Sequence, residues 1–176
     1  VLNYTPGTFF TGWDTLHPEF NFSLNFSRVF SGVWRQEQGL GAVAGHSHMA
    51  DLVRIIYLFL TSFIFKLNFL RYSYIFLCFI VGPIGFYFLA EYLFIKHPKH
   101  RLIAFLSALF YIFNLSTLQQ FYVAFEMFTT QYAILPFVVL FTIKYLHTNS
   151  KKSLFLFSLF TVLATPQAYA AHLWYA

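Results

Sequence analysis

The sequence predicts an all-α fold, a polytopic transmembrane helical bundle with an extracytoplasmic loop region before the helices. Hydrophobic residues make up 59% of the 176 residues, charged residues only 10%, and the mean hydropathy is +0.62. A soluble domain carries about 25% charged residues, so this composition excludes one. Apolar runs this dense also exclude a disordered chain. No alternating strand pattern accompanies the runs, which favours helices that satisfy their own backbone hydrogen bonds.

Four long apolar runs after residue 70 predict the membrane spans, because about 20 apolar residues cross some 30 Å of hydrocarbon. They cover residues 72–95, 102–125, 131–146 and 154–175. The apolar composition of the first run is interrupted only at Gly82-Pro83, Gly85 and Glu91, and we expect the last run to kink at Pro166. Residues 67–176 are therefore the predicted transmembrane region.

A shorter apolar segment precedes these runs. Eleven of the fourteen residues Leu52–Phe65 are apolar, yet as a helix they would reach only about 21 Å. We interpret residues 52–66 as an interfacial or re-entrant helix, which leaves residues 1–51 on the extracytoplasmic side. If the segment instead spans the membrane, residues 1–51 are cytoplasmic.

The charges predict the orientation and the partners. Eleven Lys and Arg oppose six Asp and Glu, and their scatter excludes a nucleic-acid patch. Basic loops tend to be cytoplasmic, which places 96–101 and 147–153 inside and the Lys- and Arg-free segment 114–131 outside. The lipid bilayer is thus an expected partner and nucleic acid is not. Because the chain begins at Val1 without a basic leader and stops inside an apolar stretch, we expect an N-terminal fragment of a longer protein.

Acid and base groups cluster ahead of the membrane region. Asp14, His17 and Glu19 fall within six residues, and Gly12 and Pro18 predict an extended loop there. Such groups above a membrane can transfer protons to or from a bound substrate. The alternative is that they are ordinary solvated loop residues.

Metal and cofactor signals are weak. His46 and His48 are spaced as two metal ligands, with Asp51 as a third candidate, but no strand context supports the pattern. We predict no metal site on these residues. No organic cofactor is expected, and a requirement for a divalent metal stays open.

The order of several motifs resembles a known class of membrane enzymes. These motifs are Gly12-Trp-Asp14-x-x-His17-Pro18, the Gly-rich Gln38-Gly-Leu-Gly41, Asp51-Leu52, Gln131-Tyr-Ala-Ile-Leu-Pro-Phe137 and Ala164-Thr-Pro-Gln-Ala-Tyr-Ala170. The pattern is similar to the first extracytoplasmic loop of polytopic GT-C-fold glycosyltransferases. It is most similar to bacterial arabinofuranosyltransferase-like proteins and related uncharacterised membrane proteins.

The resemblance implies transfer of a sugar from a polyprenyl-phosphate donor to an extracytoplasmic glycan or lipid acceptor. The enzyme would lie in the bacterial plasma membrane with its active site outside. Asp14 would be the catalytic carboxylate, with Glu19 as a second acid and His17 as an orienting partner. Many members show two adjacent acids or acids one residue apart, whereas Asp14 follows Trp13.

The donor would need cations for its phosphate and flat surfaces for its sugar. Arg28, Arg35 and Arg54 are candidates for the phosphate, because guanidinium matches it in charge and geometry. Trp13 and Trp34 are candidates for stacking on sugar faces, although aromatic belts at membrane interfaces explain them equally well. A transporter or flippase, or a non-catalytic polytopic membrane protein, is the alternative function. A transporter should show discontinuous helices with charges near the bilayer midplane.

Overall fold

The computed structural model describes residues 4–10, 17–31, 34–35, 40–43, 51–122 and 124–169, without the side chains at 34, 35, 42, 43 and 169. Most of these residues are helical, which confirms the all-helical prediction. The α-helices are α1 (Phe22–Ser31), α2 (Leu52–Thr61), α3 (Leu67–Leu93), α4 (His100–Phe113), α5 (Leu115–Tyr122), α6 (Glu126–Thr148) and α7 (Lys151–Leu163). Short 3-10 turns cover Pro18–Phe20 and Thr165–Tyr169.

The strand content of the described residues is one two-residue antiparallel pairing. Strand β1 (Trp34–Arg35) pairs with β2 (Ala42–Val43), with Trp34 opposite Val43. It lies in the region predicted as a loop. No strand occurs among the described residues beyond 70, as the hydropathy pattern predicts.

Two helices are long and apolar enough to cross a membrane. They are α3 with 27 residues and α6 with 23 residues. Helices α4 and α5 pass the same test only as one broken span, because they meet at an angle of 45°. The described residues therefore supply two or three candidate spans where the sequence predicts four.

The bend between α4 and α5 is caused by Asn114. Its backbone is extended (ψ 156°), so it ends α4, and its side-chain Oδ1 accepts the backbone N–H of Thr117 at 2.9 Å. An asparagine oxygen that receives this N–H is a typical start of a new helix. One residue thus terminates α4 and caps α5 within the second apolar run.

The last apolar run is not one long helix in the described residues. Helix α7 ends at Leu163 after 13 residues, about 20 Å. The chain then forms the 3-10 turn Thr165–Tyr169, which contains Pro166. Proline lacks the N–H that would continue the α-helix. The residues beyond 169 are outside the described part of the chain.

Helix α2 covers only ten residues of the short apolar segment, about 15 Å. That is half of the hydrocarbon thickness, so it is too short to cross a bilayer alone. The interpretation of 52–66 as an interfacial or re-entrant helix stays a prediction, since the structure contains no membrane.

The contacts divide the chain into two compact units. Unit 1 comprises Val1–Phe76 and Thr165–Ala176, and unit 2 comprises Leu77–Ala164. In unit 1, helix α1 begins after Asn21, whose Oδ1 accepts the backbone N–H of Leu24 at 3.0 Å. Helix α1 packs on α2, where the rings of Phe22 and Phe26 meet Phe59 edge to face.

Unit 2 is built from closely packed aromatic rings. A Cβ atom on Gly82 would lie 2.4 Å from the Tyr132 ring, and one on Gly85 would lie 2.5 Å from the Phe137 ring. Small residues of this kind let neighbouring helices approach closely. Helix α3 continues through Gly82-Pro83, in agreement with the single predicted span over residues 72–95.

The outward face of α3 is apolar. Leu77, Ile80, Ile84 and Phe88 follow one stripe of the helix and are each 42–57% exposed. Exposed apolar stripes of this kind suit contact with lipid.

Candidate functional site

A buried acid–base pair lies at the 3-10 turn Pro18–Phe20 in unit 1. The Nδ1 atom of His17 is 3.2 Å from Oε1 of Glu19, and the two side chains are 21% and 4% exposed. His17 directly precedes the turn with a non-helical backbone, and Glu19 is the second residue of the turn. Two of the three residues of the predicted acid–base cluster are thus in contact.

Arg71 joins this pair from the first part of α3. Its Nη1 atom donates to the carbonyl oxygen of Phe10 at 2.6 Å and lies 3.4 and 3.5 Å from the two ring nitrogens of His17. Its guanidinium also stands over the Phe10 ring at 5.0 Å. Arg71 is 2% exposed, so a full positive charge is buried beside the imidazole.

The partners of His17 define its tautomer. An ionised carboxylate only accepts hydrogen bonds, so Nδ1 carries the proton that faces Glu19. Nη1 of Arg71 lies almost equally far from the two ring nitrogens, at 3.4 Å from Nδ1 and 3.5 Å from Nε2. The imidazole thus contacts both the carboxylate of Glu19 and the guanidinium of Arg71.

The second carboxylate oxygen of Glu19 is the atom of this pair that is most suited to react. Oε2 is buried and has no hydrogen-bond partner within the described part of the chain. Buried carboxylate oxygens are nearly always hydrogen-bonded, so a buried oxygen without a partner requires a further hydrogen-bond donor. A hydroxyl group of a bound molecule or of water can donate to it.

A cavity of about 390 Å³ lies in the same unit. Its lining includes Tyr4, Gly7, Phe9, Lys66 and Asn68. The Nδ2 atom of Asn68 donates to the Tyr4 hydroxyl at 2.9 Å, which holds the polar wall in place. The cavity therefore offers one cation, one amide and one phenol together with apolar surface.

A type II turn forms the rim of this cavity. Pro6 and Gly7 occupy its centre, the N–H of Thr8 donates to the carbonyl of Thr5 at 3.2 Å, and Gly7 has φ +83°. That backbone angle favours glycine at the third position of such a turn.

The cavity and the acid–base pair are connected through aromatic contacts. Phe9 lines the cavity and packs against Phe20 with ring centroids 5.4 Å apart, and Phe20 lies 5.8 Å from the His17 ring.

Several residues predicted for the site lie outside the described residues. These are Trp13, Asp14, His46 and His48, together with the side chains of Trp34 and Arg35, whose backbone forms β1. Within the described residues, no three His, Cys, Asp or Glu side chains are grouped closely enough to hold a metal ion.

Arg54 and Asp51 engage each other. Nε and Nη2 of Arg54 donate to the two carboxylate oxygens of Asp51 at 2.7 and 2.6 Å, and both residues are buried. The fork that we predicted to bind phosphate thus binds a carboxylate, and the acid that we considered as a metal ligand neutralises a guanidinium. Arg28 is half-buried on α1.

Arg71 is the site residue that sequence reasoning missed. It lies near the start of an apolar run and five residues after Lys66, so it reads as a helix anchor at the membrane surface. The signal that could have identified it is its place in an otherwise uncharged run, because an ionisable residue there needs a partner.

Comparison of the chain with protein-family models, with curated proteins and with solved structures finds no match.

Proposed function

We propose that the protein is the membrane part of a glycosyltransferase that moves a sugar from a polyprenyl-phosphate donor to an extracytoplasmic glycan or lipid acceptor. The observation that supports this most is the open, buried oxygen of Glu19 beside His17. An acceptor hydroxyl is a poor nucleophile, and a positioned carboxylate that takes its proton makes it a better one.

In this proposal Glu19 is the general base of the transfer step. The proton of the acceptor hydroxyl passes to Oε2 of Glu19 while the acceptor oxygen forms a bond to the anomeric carbon. The bond from that carbon to the phosphate oxygen breaks, and polyprenyl phosphate leaves with the electron pair. His17 holds the other carboxylate oxygen at 3.2 Å and so orients Glu19 toward the acceptor.

The charges near Glu19 suit this role. The guanidinium of Arg71 lies beside His17 and offsets the negative charge of the Glu19 carboxylate. In the proposal, Lys66 in the nearby cavity is the cation for the donor phosphate, because an ammonium is a common phosphate partner. Asp14, three residues before His17 in the sequence, is the second carboxylate of the proposed site.

A transporter has less support. Helix α3 is continuous through Gly82-Pro83, and the bend at Asn114 lies in the stretch 102–125, which contains no charged residue. Discontinuous transporter helices place charges or ion-binding groups at their breaks.

The test is Glu19→Gln in the full-length protein in native membranes. The measurement is the release of polyprenyl phosphate from polyprenyl-phosphate sugars. Loss of a general base lowers the rate by a factor on the order of 10² to 10⁴. We expect that loss with unchanged protein level and membrane insertion.

Two further variants complete the experiment. Glu91→Gln removes the same charge from unit 2 and is expected to keep full activity. Asp14→Asn tests the second carboxylate. The general base is the residue whose replacement abolishes transfer. Full activity in both Glu19→Gln and Asp14→Asn would refute the glycosyltransferase proposal.

A further inference from the structure

A second cavity, in unit 2, combines cationic and apolar walls. It has a volume of about 670 Å³ and is lined by Tyr92, Leu93, Phe94, Ile95, Lys96, His97 and His147. These residues come from the end of α3, the chain directly after it and the last turn of α6. Two predicted cytoplasmic loops therefore begin at the same end of this unit.

The charge at this end is strongly positive. Residues 91–101 and 144–152 contain six Lys or Arg and one acid, Glu91. Glu91 contacts Arg101 at 3.7 Å, and no carboxylate of the described residues pairs with Lys96. The cavity thus has a cation available for an anion.

The aromatic wall of the cavity is held in place by three contacts. The Tyr92 hydroxyl is 3.2 Å from Nδ1 of His147, and the Lys144 ammonium stands 5.1 Å over the Tyr92 ring. The same ammonium lies 5.6 Å from the Phe141 ring. This arrangement brings the positive charge of Lys144 against the wall of the cavity.

His97 presents a donor. Its Nδ1 accepts the backbone N–H of Lys99 at 3.1 Å, so in the neutral ring the proton is on Nε2. Lys96 and the Nε2–H of His97 are therefore two adjacent donors on one loop, a set that suits phosphate oxygens.

Another part of the lining is exposed and apolar. Leu93, Phe94 and Ile95 are 53%, 46% and 59% exposed and lie directly before Lys96. A free anion gains nothing from such a surface, whereas an acyl chain does. The change from apolar to basic residues within four positions is typical of the headgroup level of a membrane.

We propose that this cavity binds the phosphate headgroup of an anionic phospholipid, with the first part of its acyl chain against residues 93–95. Basic pockets between membrane helices on the cytoplasmic side are suited to such headgroups. The site is separate from the proposed glycosyltransferase chemistry and does not depend on it.

The experiment uses the full chain in phosphatidylcholine nanodiscs that contain a photoactivatable phosphatidylglycerol as the probe. Cross-linked peptides should include residues 92–97 and 147, and unlabelled phosphatidylglycerol should compete where phosphatidylcholine does not. Lys96→Gln should raise the concentration of unlabelled phosphatidylglycerol needed for competition by about fivefold. One cation at an anionic membrane surface contributes about this factor to binding.

Lys99→Gln is the matched control. It removes the same charge from the same loop, but Lys99 does not line the cavity. General attraction of the lipid to a basic surface would weaken equally in both variants, and that result would overturn the proposal. Full competition by inorganic phosphate would also overturn it, because it would identify a site for a free anion.

Discussion

The two units fill their interiors with different chemistry. Among its described residues, unit 1 buries four that carry charge, Glu19, Asp51, Arg54 and Arg71, each no more than 6% exposed. In unit 2 every described Lys and Arg is at least partly exposed, and Glu126 is its buried acid. Most of the buried described residues of unit 2 are small or apolar, and Tyr132 among them packs against further aromatic rings.

The stack in unit 2 illustrates this. Tyr111 lies flat against both Phe86 and Tyr132, with ring centroids 4.5 and 4.6 Å apart. Its hydroxyl donates to the Tyr132 carbonyl at 2.9 Å. Packing of this kind stabilises a scaffold without charge.

The buried charges of unit 1 are better explained by a chemical role than by a contribution to stability. Removing a charge from water costs several kcal/mol, and a buried ion pair is often no more stabilising than apolar residues of the same volume. Four buried charges in unit 1 are therefore a poor way to build a core alone. Their presence is understandable if unit 1 performs the chemistry and unit 2 supports it.

Breaking the Asp51–Arg54 pair should have the largest effect on stability. Asp51→Asn leaves the buried guanidinium without its carboxylate, and removal of one partner from a buried pair costs about 3–5 kcal/mol. The measurement is the free energy of unfolding of the full chain in mild detergent.

The control for this variant replaces both partners. Asp51→Asn combined with Arg54→Met removes the charges together, and we expect most of the stability to return. Wild-type stability in the single variant would show that unit 1 does not depend on its buried charges.

Adding one methyl group should disturb unit 2. The new Cβ of Gly82→Ala meets the Tyr132 ring, which is held by Tyr111 and by Phe121 at 5.1 Å, so the ring cannot move freely. Overpacking of this kind costs about 1–3 kcal/mol. The free energy of unfolding measures it.

Repeating Gly82→Ala in a Tyr132→Leu protein tests whether the Tyr132 ring causes the loss of stability. In Tyr132→Leu the ring is absent, so Gly82→Ala should cost much less there. An equal cost in both backgrounds would attribute the effect to the helix backbone and not to the ring.

The helices were predictable because they depend on local patterns. Long apolar runs identified α3 and α6, and the pair Asp51–Arg54 has the i, i+3 spacing at which helical side chains meet. Asn114 was also recognisable as a polar residue near the centre of the apolar run 102–125. The close approach of Tyr132 to Gly82 and of Phe137 to Gly85 could not be predicted, because such tertiary contacts are not recorded in the local sequence.

The candidate site was predictable only in part. His17 and Glu19 are two residues apart, so their proximity follows from the sequence. Arg71 reaches them from 54 residues away, and no local pattern records a contact of that length. The same holds for Lys66 and Asn68, which meet Tyr4 across a similar separation. The cluster of Asp14, His17 and Glu19 identified the loop as a candidate site. The residues that contact it from elsewhere in the chain could not be predicted.

The smallest expected effect comes from an ion pair in unit 2 and decides what the comparison means. Glu91 is 3.7 Å from Arg101, and their side chains are 27% and 80% exposed. Exposed pairs contribute about 0–1 kcal/mol, because water solvates both charges and the long side chains lose freedom when they pair. Glu91→Gln should therefore change the free energy of unfolding by no more than about a third of the Asp51→Asn effect, a ratio that follows from these ranges. High salt should remove what remains, since screening acts on exposed charges far more than on buried ones. If Glu91→Gln costs as much as Asp51→Asn at every salt concentration, burial is not what distinguishes the charges of unit 1, and the reason for assigning its chemistry to them disappears.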